Sequence, residues 1–97
     1  MSAQRAMNPE QSIRNRQALQ PYKDSIKRYI RSAMQLKGVQ YKYLSDELAK
    51  RNIEMKEGNL RSKVYAGTLP TDLFIILVEI LDMPEHALSD IIANKNK

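Results

Sequence analysis

The chain has 97 residues with no cysteine, a single histidine (His86) and a formal net charge of +5. This composition suffices for one domain with a modest core, and it excludes disulfides, thiolate metal sites and histidine-cluster metal sites. No apolar run approaches the roughly 18 residues that a membrane span needs, so no transmembrane helix is predicted.

The first twenty residues are polar and basic, and few of their side chains are apolar. The opening residues contain no apolar stretch like that of a signal peptide, which predicts a cytoplasmic protein. Residues 1–20 are predicted to form a flexible arm, or a short helix beginning near Asn8-Pro9, because proline is tolerated at the first helical position. A solubilising tail is one interpretation, and contact with a phosphate backbone or minor groove is the other. The possible arm contacts are Arg5, Arg14 and Arg16.

Two amphipathic helices are predicted to follow the arm. Over residues 21–37, apolar side chains recur every three or four positions, and Gly38 is placed to end that helix. A second helix is predicted over residues 40–51, with Asn52 as a left-handed cap. The start of a helix is where backbone amides and nearby side chains commonly meet phosphate. The candidate phosphate contacts there are Gln40, Tyr41 and Lys42.

A third helix, predicted over residues 56–66, determines the functional interpretation. At about 100° per residue, Leu60 and Val64 point inward, which turns the polar side chains outward, and Gly67 is placed to end the helix. The outward side presents a glycine, an amide, a guanidinium, a hydroxyl and a phenol. Such groups can hydrogen-bond to base edges or contact phosphates. An ordinary basic surface helix is the alternative. The candidate DNA contacts are Lys56, Glu57, Gly58, Asn59, Arg61, Ser62, Lys63 and Tyr65.

The acidic end of the chain predicts two apolar helices. The capping pattern Thr68-Leu69-Pro70-Thr71-Asp72 favours a fourth helix over residues 70–82, with a strand as the competing interpretation for residues 74–78. That helix is apolar on two sides, so both sides must be covered. A fifth helix is predicted over residues 84–93, with His86 exposed or lightly packed in its first turn. The candidate dimer-interface residues are Leu73, Ile76, Ile80, Leu88, Ile91 and Ile92.

The predicted fold class is all-α, a compact bundle of about five helices that contains a helix-turn-helix. Residues 21–97 would form this domain, with the last two helices as its dimerisation region, and residues 1–20 would form the arm. Charge follows a similar division, since residues 1–65 hold 14 Lys/Arg against 6 Asp/Glu, whereas residues 66–97 hold 2 against 5. A basic part favours a polyanionic partner, and an acidic, apolar end favours contact with protein.

Three stretches carry a resemblance to a known fold: Val39-Gln40-Tyr41 with Leu44 and Leu48, residues 59–64, and Gly67-Thr68-Leu69 ahead of Phe74. Through them, residues 22–83 resemble the λ-repressor-like helix-turn-helix domains, and in particular a family of small bacterial proteins of unassigned function. The resemblance implies that the second helix packs across the DNA backbone and the third enters the major groove. It also implies a phosphate contact at Tyr41. The positions that it places near bases are Gly58, Asn59 and Ser62.

Two departures from that pattern concern how closely the second and third helices cross. The second helix is predicted to be about one turn longer than in λ-like repressors. Ser45 stands where an alanine usually follows the first buried leucine. Both differences affect the angle at which the third helix would meet DNA.

The leading functional prediction is a sequence-specific DNA-binding protein, a transcriptional regulator acting as a homodimer with residues 56–66 in the major groove. One module this small buries little surface on DNA, and a two-fold pair raises the affinity. The alternative is a protein–protein adaptor that uses the apolar helices of residues 70–82 and 84–93. RNA binding is a weaker third reading, because tyrosines are present to stack on bases but no glycine-aromatic RNA motif is.

No enzyme activity, metal or cofactor is predicted. The chain has no Ser/His/Asp arrangement beyond chance, no metal-ligand set and only three glycines. Residues 58–63 lack the second glycine of a phosphate-binding loop, and His86 alone does not make a general base.

Overall fold

The computed structural model describes residues 8–96, and that part of the chain is all-helical, with five helices and no strand. The predicted fold class is therefore confirmed, and the strand interpretation of residues 74–78 is wrong because a helix covers them. No helix in the described part is both long and apolar enough to cross a membrane. The helices are α1 (Pro9–Lys37), α2 (Tyr41–Lys50), α3 (Glu57–Ala66), α4 (Thr71–Ile80) and α5 (Ala87–Ala93).

The first helix is much longer than predicted. Its start at Asn8-Pro9 is confirmed, because the Asn8 side chain accepts a hydrogen bond from the Gln11 backbone N–H at 2.7 Å and Pro9 follows in the first turn. The predicted boundary near residue 21 is absent, since α1 continues through Pro21. An interior proline costs a helix about 3 kcal/mol relative to alanine, so the packing of the following turns must hold α1 together across it.

The core is formed by one apolar face of each helix. α3 packs against both α1 and α2, and α1 also packs against α5. Fully burying a large apolar side chain contributes about 1.5–3 kcal/mol relative to leaving it exposed, so these faces set the helix orientations. The buried apolar residues are Ile30, Met34, Leu44, Leu48, Leu60, Val64, Leu73, Leu77, Ile80, Leu81, Met83, Ala87 and Ile91.

Polar contacts fasten the short α5 to α1. The buried Ser25 hydroxyl donates to the Ile91 carbonyl at 2.6 Å, and the Tyr29 hydroxyl donates to the Asp90 carboxylate at 2.8 Å. The His86 ring nitrogen lies 2.7 Å from the same carboxylate. The hydrogen bonds from Tyr29 and His86 lower the pKa of Asp90. His86 is exposed, as predicted, and its partner is this carboxylate.

Half of the predicted dimer surface lies inside the chain. Leu73, Ile80 and Ile91 are at most 6% exposed and belong to the core, so their assignment to a subunit interface is wrong. A helix that is apolar all round gives no sequence signal for which side faces inward, and α4 buries its Leu73 side. Ile76 is half-buried, whereas Leu88 and Ile92 are exposed as predicted.

Left-handed residues end the first three helices, as predicted. Gly38, Asn52 and Gly67 have φ angles of 76°, 63° and 67°. Gly67 meets a further requirement, because a Cβ there would overlap the carbonyl group of Lys23, with the carbonyl carbon and Cα both 2.7 Å away. A Cβ at Gly38 would meet nothing within 4 Å. Gly67 therefore allows the end of α3 to touch the backbone of α1.

We predict that Gly67→Ala destabilises the fold far more than Gly38→Ala. Both changes force alanine into a left-handed conformation, at a cost of about 1–2 kcal/mol. Only Gly67→Ala also drives a methyl group into helix backbone, so its total cost should exceed about 3 kcal/mol. Urea unfolding of the two variants checks this, and equal losses would contradict the close approach of α3 to α1.

Candidate nucleic-acid interface

The third helix presents the face that its sequence predicts. Leu60 and Val64 are completely buried, whereas Asn59, Arg61 and Ser62 are exposed. No other segment of the described chain covers these polar side chains. The inward aim of the two apolar residues is confirmed, and the outward strip of α3 is free to meet a partner.

A six-residue connection, residues 51–56, joins α2 to α3. The Ser45 hydroxyl donates to the Met55 carbonyl at 2.5 Å, which ties the end of this connection to α2. Ile53 is half-buried against the core. Ser45 thus has a structural role that the sequence did not reveal, because it fixes the path by which the chain enters α3.

Acidic side chains balance the charge at the start of α3. Lys42 pairs with Asp46 at 3.0 Å, and Arg61 lies 3.8 Å from Glu57. A groove of about 580 Å³ between the starts of α2 and α3 holds two basic and two acidic side chains. It is lined by Lys42, Ser45, Asp46, Lys56, Glu57, Gly58 and Asn59.

Gly58 has no steric reason to be glycine within the described chain. A Cβ at this position would meet nothing within 4 Å, and its φ angle is not left-handed. Glycine in a helix costs up to about 1 kcal/mol relative to alanine. The packing explanation for Gly58 is therefore removed within the described chain.

The Tyr41 side chain is oriented differently from the predicted phosphate contact. Its hydroxyl is buried and has no hydrogen-bond partner among the described residues. The Arg61 guanidinium lies over the Tyr41 ring, 5.2 Å from its centroid. Burial raises the pKa of Tyr41, and the charges of Arg31 and Arg61 oppose that effect. The hydroxyl reaches no ligand unless a neighbouring side chain moves.

A second groove is lined by basic residues of α1 that were not among the predicted contacts. Lys27 Nζ and the Arg31 guanidinium lie 4.8 and 5.5 Å from the centroid of the Tyr65 ring. This contact joins α1 to the exposed end of α3. Lys27 and Arg31 are one helical turn apart, and this i, i+4 spacing was the available signal. The groove, of about 580 Å³, is lined by Lys27, Arg28, Arg31, Ser32, Met34, Gln35, Val39, Gln40, Tyr41 and Arg61.

The remaining candidates divide between these two surfaces and the long helix. Gln40 precedes α2 and lines the α1 groove, while Lys56 precedes α3 and lines the other one. Lys63 is half-buried and Tyr65 is exposed. Arg14 and Arg16 are exposed on the first turns of α1, and Arg5 lies outside the described residues. No group of three or more His, Asp or Glu side chains in the described part could hold a metal ion.

The chain belongs to the family described as Domain of unknown function (DUF6471), whose model matches residues 22–86, which are 65 of the 97 residues. The match takes in the basic turns of α1 that line the second groove, and the whole of α2, α3 and α4. No curated protein and no solved structure is significantly similar to the chain. The family places these elements in a recurring domain and assigns them no activity.

We predict that Ser45→Ala lowers the free energy of unfolding by about 1 kcal/mol or more, because it leaves the Met55 carbonyl without its hydrogen bond. Ser62→Ala is the matched control. The Ser62 hydroxyl donates at 3.0 Å to the Gly58 carbonyl within the same exposed helix, so its loss should cost less than about 0.5 kcal/mol. Denaturant unfolding measures both, and equal losses would argue against the role of Ser45 in fixing the connection.

Proposed function

We propose that this member of a family without an assigned activity is a sequence-specific double-stranded DNA-binding protein. It would regulate transcription as a homodimer, with α2 and α3 acting as a λ-repressor-like helix-turn-helix and α3 in the major groove. The observation that carries the proposal is the exposed polar strip of α3, which begins at a glycine with open space above it.

The side chains on α3 have the chemistry that base recognition requires. An amide such as that of Asn59 suits the paired donor and acceptor of adenine, and a guanidinium such as that of Arg61 suits guanine or a phosphate. The bare backbone at Gly58 would let a base edge or phosphate approach α3 closely. To contact DNA, Arg61 would have to break its ion pair with Glu57. An exposed ion pair contributes only about 0–1 kcal/mol, so breaking it costs little.

A second copy of the chain completes the proposal. Two modules related by a two-fold axis read two half-sites and double the buried surface on DNA. With Leu73, Ile80 and Ile91 in the core, the surface proposed for pairing is the exposed face of α5. Leu88 and Ile92 lie one turn apart there, with exposed fractions of 64% and 50%.

The second candidate function is a protein–protein adaptor. The same exposed face of α5, with Ile75 exposed on α4, offers apolar contacts to a different protein. In that case the polar strip of α3 would be an ordinary solvated surface. The two functions differ in whether purified protein enriches a DNA motif from a random pool.

We predict that selection from random DNA enriches one motif, and that Arg61→Ala then weakens binding about tenfold, as loss of one bidentate contact to a phosphate or a base should. Arg51→Ala is the matched control, because Arg51 also sits four residues after its glutamate partner, at 3.5 Å, but lies at the far end of α2. Fluorescence anisotropy compares the variants. Asn59→Ala should change which bases are preferred more than it changes overall affinity. An unenriched pool would reject the proposal.

We predict that Leu88→Glu converts a dimer into a monomer, because it places a charge on the proposed pairing face of α5. Leu36→Glu is the control, since Leu36 is 91% exposed on α1 and should leave the dimer intact. Light scattering at matched concentrations reports the mass. A monomeric wild-type chain at tens of micromolar would reject the homodimer part of the proposal, and dissociation by Leu36→Glu alone would move the interface to α1.

A further inference from the structure

The groove between α1 and the start of α2 concentrates positive charge, and no carboxylate is among its lining residues. Four of its ten lining residues are cations, and none is acidic. The groove at the start of α3 contains equal numbers of acidic and basic side chains. Of these two grooves, the one beside α1 therefore has the larger excess of cationic over acidic lining residues. The four cations are Lys27, Arg28, Arg31 and Arg61.

Lys27 and Arg31 are uncompensated in a chain that pairs many of its other charges. Neither lies within 4 Å of a carboxylate in the described part of the chain, whereas Lys37, Lys42 and Lys50 each do. Their near neighbour is instead the ring of Tyr65, on which both cations stack. A π face attracts a cation without neutralising it, so both charges stay available to an anion.

Tyr41 supplies a second, independent observation at the same place. Its hydroxyl is a buried donor without an acceptor in the described chain, and it belongs to a residue that lines the groove. Buried polar groups are nearly always hydrogen-bonded, and an exception calls for an explanation. The half-exposed Arg61 covers the Tyr41 ring. The groove therefore brings together cations and a residue whose hydroxyl is an unpaired donor.

We propose that this groove binds a phosphodiester of the DNA backbone, with Lys27, Arg31 and Arg61 as its cationic contacts and the Tyr41 hydroxyl as an added donor. The inference rests on the proposed DNA-binding function and adds α1 to it. The groove joins the α3 strip through Arg61 and Tyr65, so the backbone is held beside the bases that α3 reads.

The exposure of the cations favours a polyanion over a small free anion. Arg28, Arg31 and Arg61 are exposed and Lys27 is half-buried, so water and salt screen each charge. A single small anion gains little from screened charges. A polyanion gains from several of them together, because each neutralised phosphate releases a condensed counterion.

The test compares two double variants by DNA affinity over a range of salt concentrations. Lys27→Gln/Arg31→Gln removes the two cations that stack on Tyr65. Lys50→Gln/Arg51→Gln removes two cations at the far end of α2 and is the control for net charge. Loss of two phosphate contacts should flatten the slope of log affinity against log salt by about 2 and weaken binding at least about tenfold at low salt. The loss should be equal on the selected motif and on unrelated DNA.

Tyr41→Phe separates binding from folding. It removes the unpartnered hydroxyl and keeps the ring, so thermal unfolding should be unchanged or shifted upward while DNA affinity falls about two- to fivefold. Tyr43→Phe is the control, because Tyr43 is a half-buried tyrosine of α2 that does not line the groove. An affinity for DNA unchanged by Tyr41→Phe would remove the hydroxyl from the contact.

The outcomes distinguish this inference from the function on which it rests. If the wild-type chain binds its motif and the Lys27/Arg31 variant behaves like the Lys50/Arg51 control, the groove assignment is overturned and the proposed function stands. If only motif binding is lost, the groove reads bases, and the backbone assignment is wrong. If the wild-type chain binds no DNA, both fail together. An NMR titration with inorganic phosphate provides a further test. Saturation of the groove at micromolar phosphate would overturn the assignment to a polyanion and would indicate a small-anion site.

Discussion

The burial of Leu60 and Val64 is the contact on which the rest of the arrangement depends. These two side chains are completely enclosed, and α3 packs against both α1 and α2. Because residues on a helix have fixed angular positions, burying one side determines what the other side presents. The same packing places Tyr65 against Lys27 and Arg31, and Arg61 against Tyr41. One apolar contact thus sets both the exposed strip of α3 and the basic groove beside it.

Local rules predicted much of this fold. The left-handed ends at Gly38, Asn52 and Gly67 follow from glycine and asparagine after periodic apolar residues, and the structure has all three. The length of α1 did not follow, because local rules place proline at the start of a helix, and only tertiary packing decides whether a helix continues through an interior proline such as Pro21. The sequence also does not predict which side of α4 faces the core. Its residues are apolar all round, so burial of Leu73 rather than Phe74 is a property of the assembled core.

The candidate site was predictable where one helix determines it and unpredictable where several helices meet. Asn59 and Ser62 are exposed, as the period of α3 requires. The groove of Lys27 and Arg31 forms only when α1 lies beside the end of α3, and sequence spacing within α1 says nothing about that neighbour. The contact between Arg61 and the Tyr41 ring has the same origin, because the two side chains come from different helices. Sequence patterns within single helices therefore do not predict contacts between helices that are far apart in the chain.

The continuity of α1 has a thermodynamic consequence for its exposed first turns. A segment that stays disordered until it binds loses about 1–2 kcal/mol of backbone conformational entropy for every residue that becomes ordered. Arg14 and Arg16 sit on turns that are already helical, held by the Asn8 cap at one end and by the packed remainder of α1 at the other. Because these turns are already ordered, association through them would avoid that entropy cost.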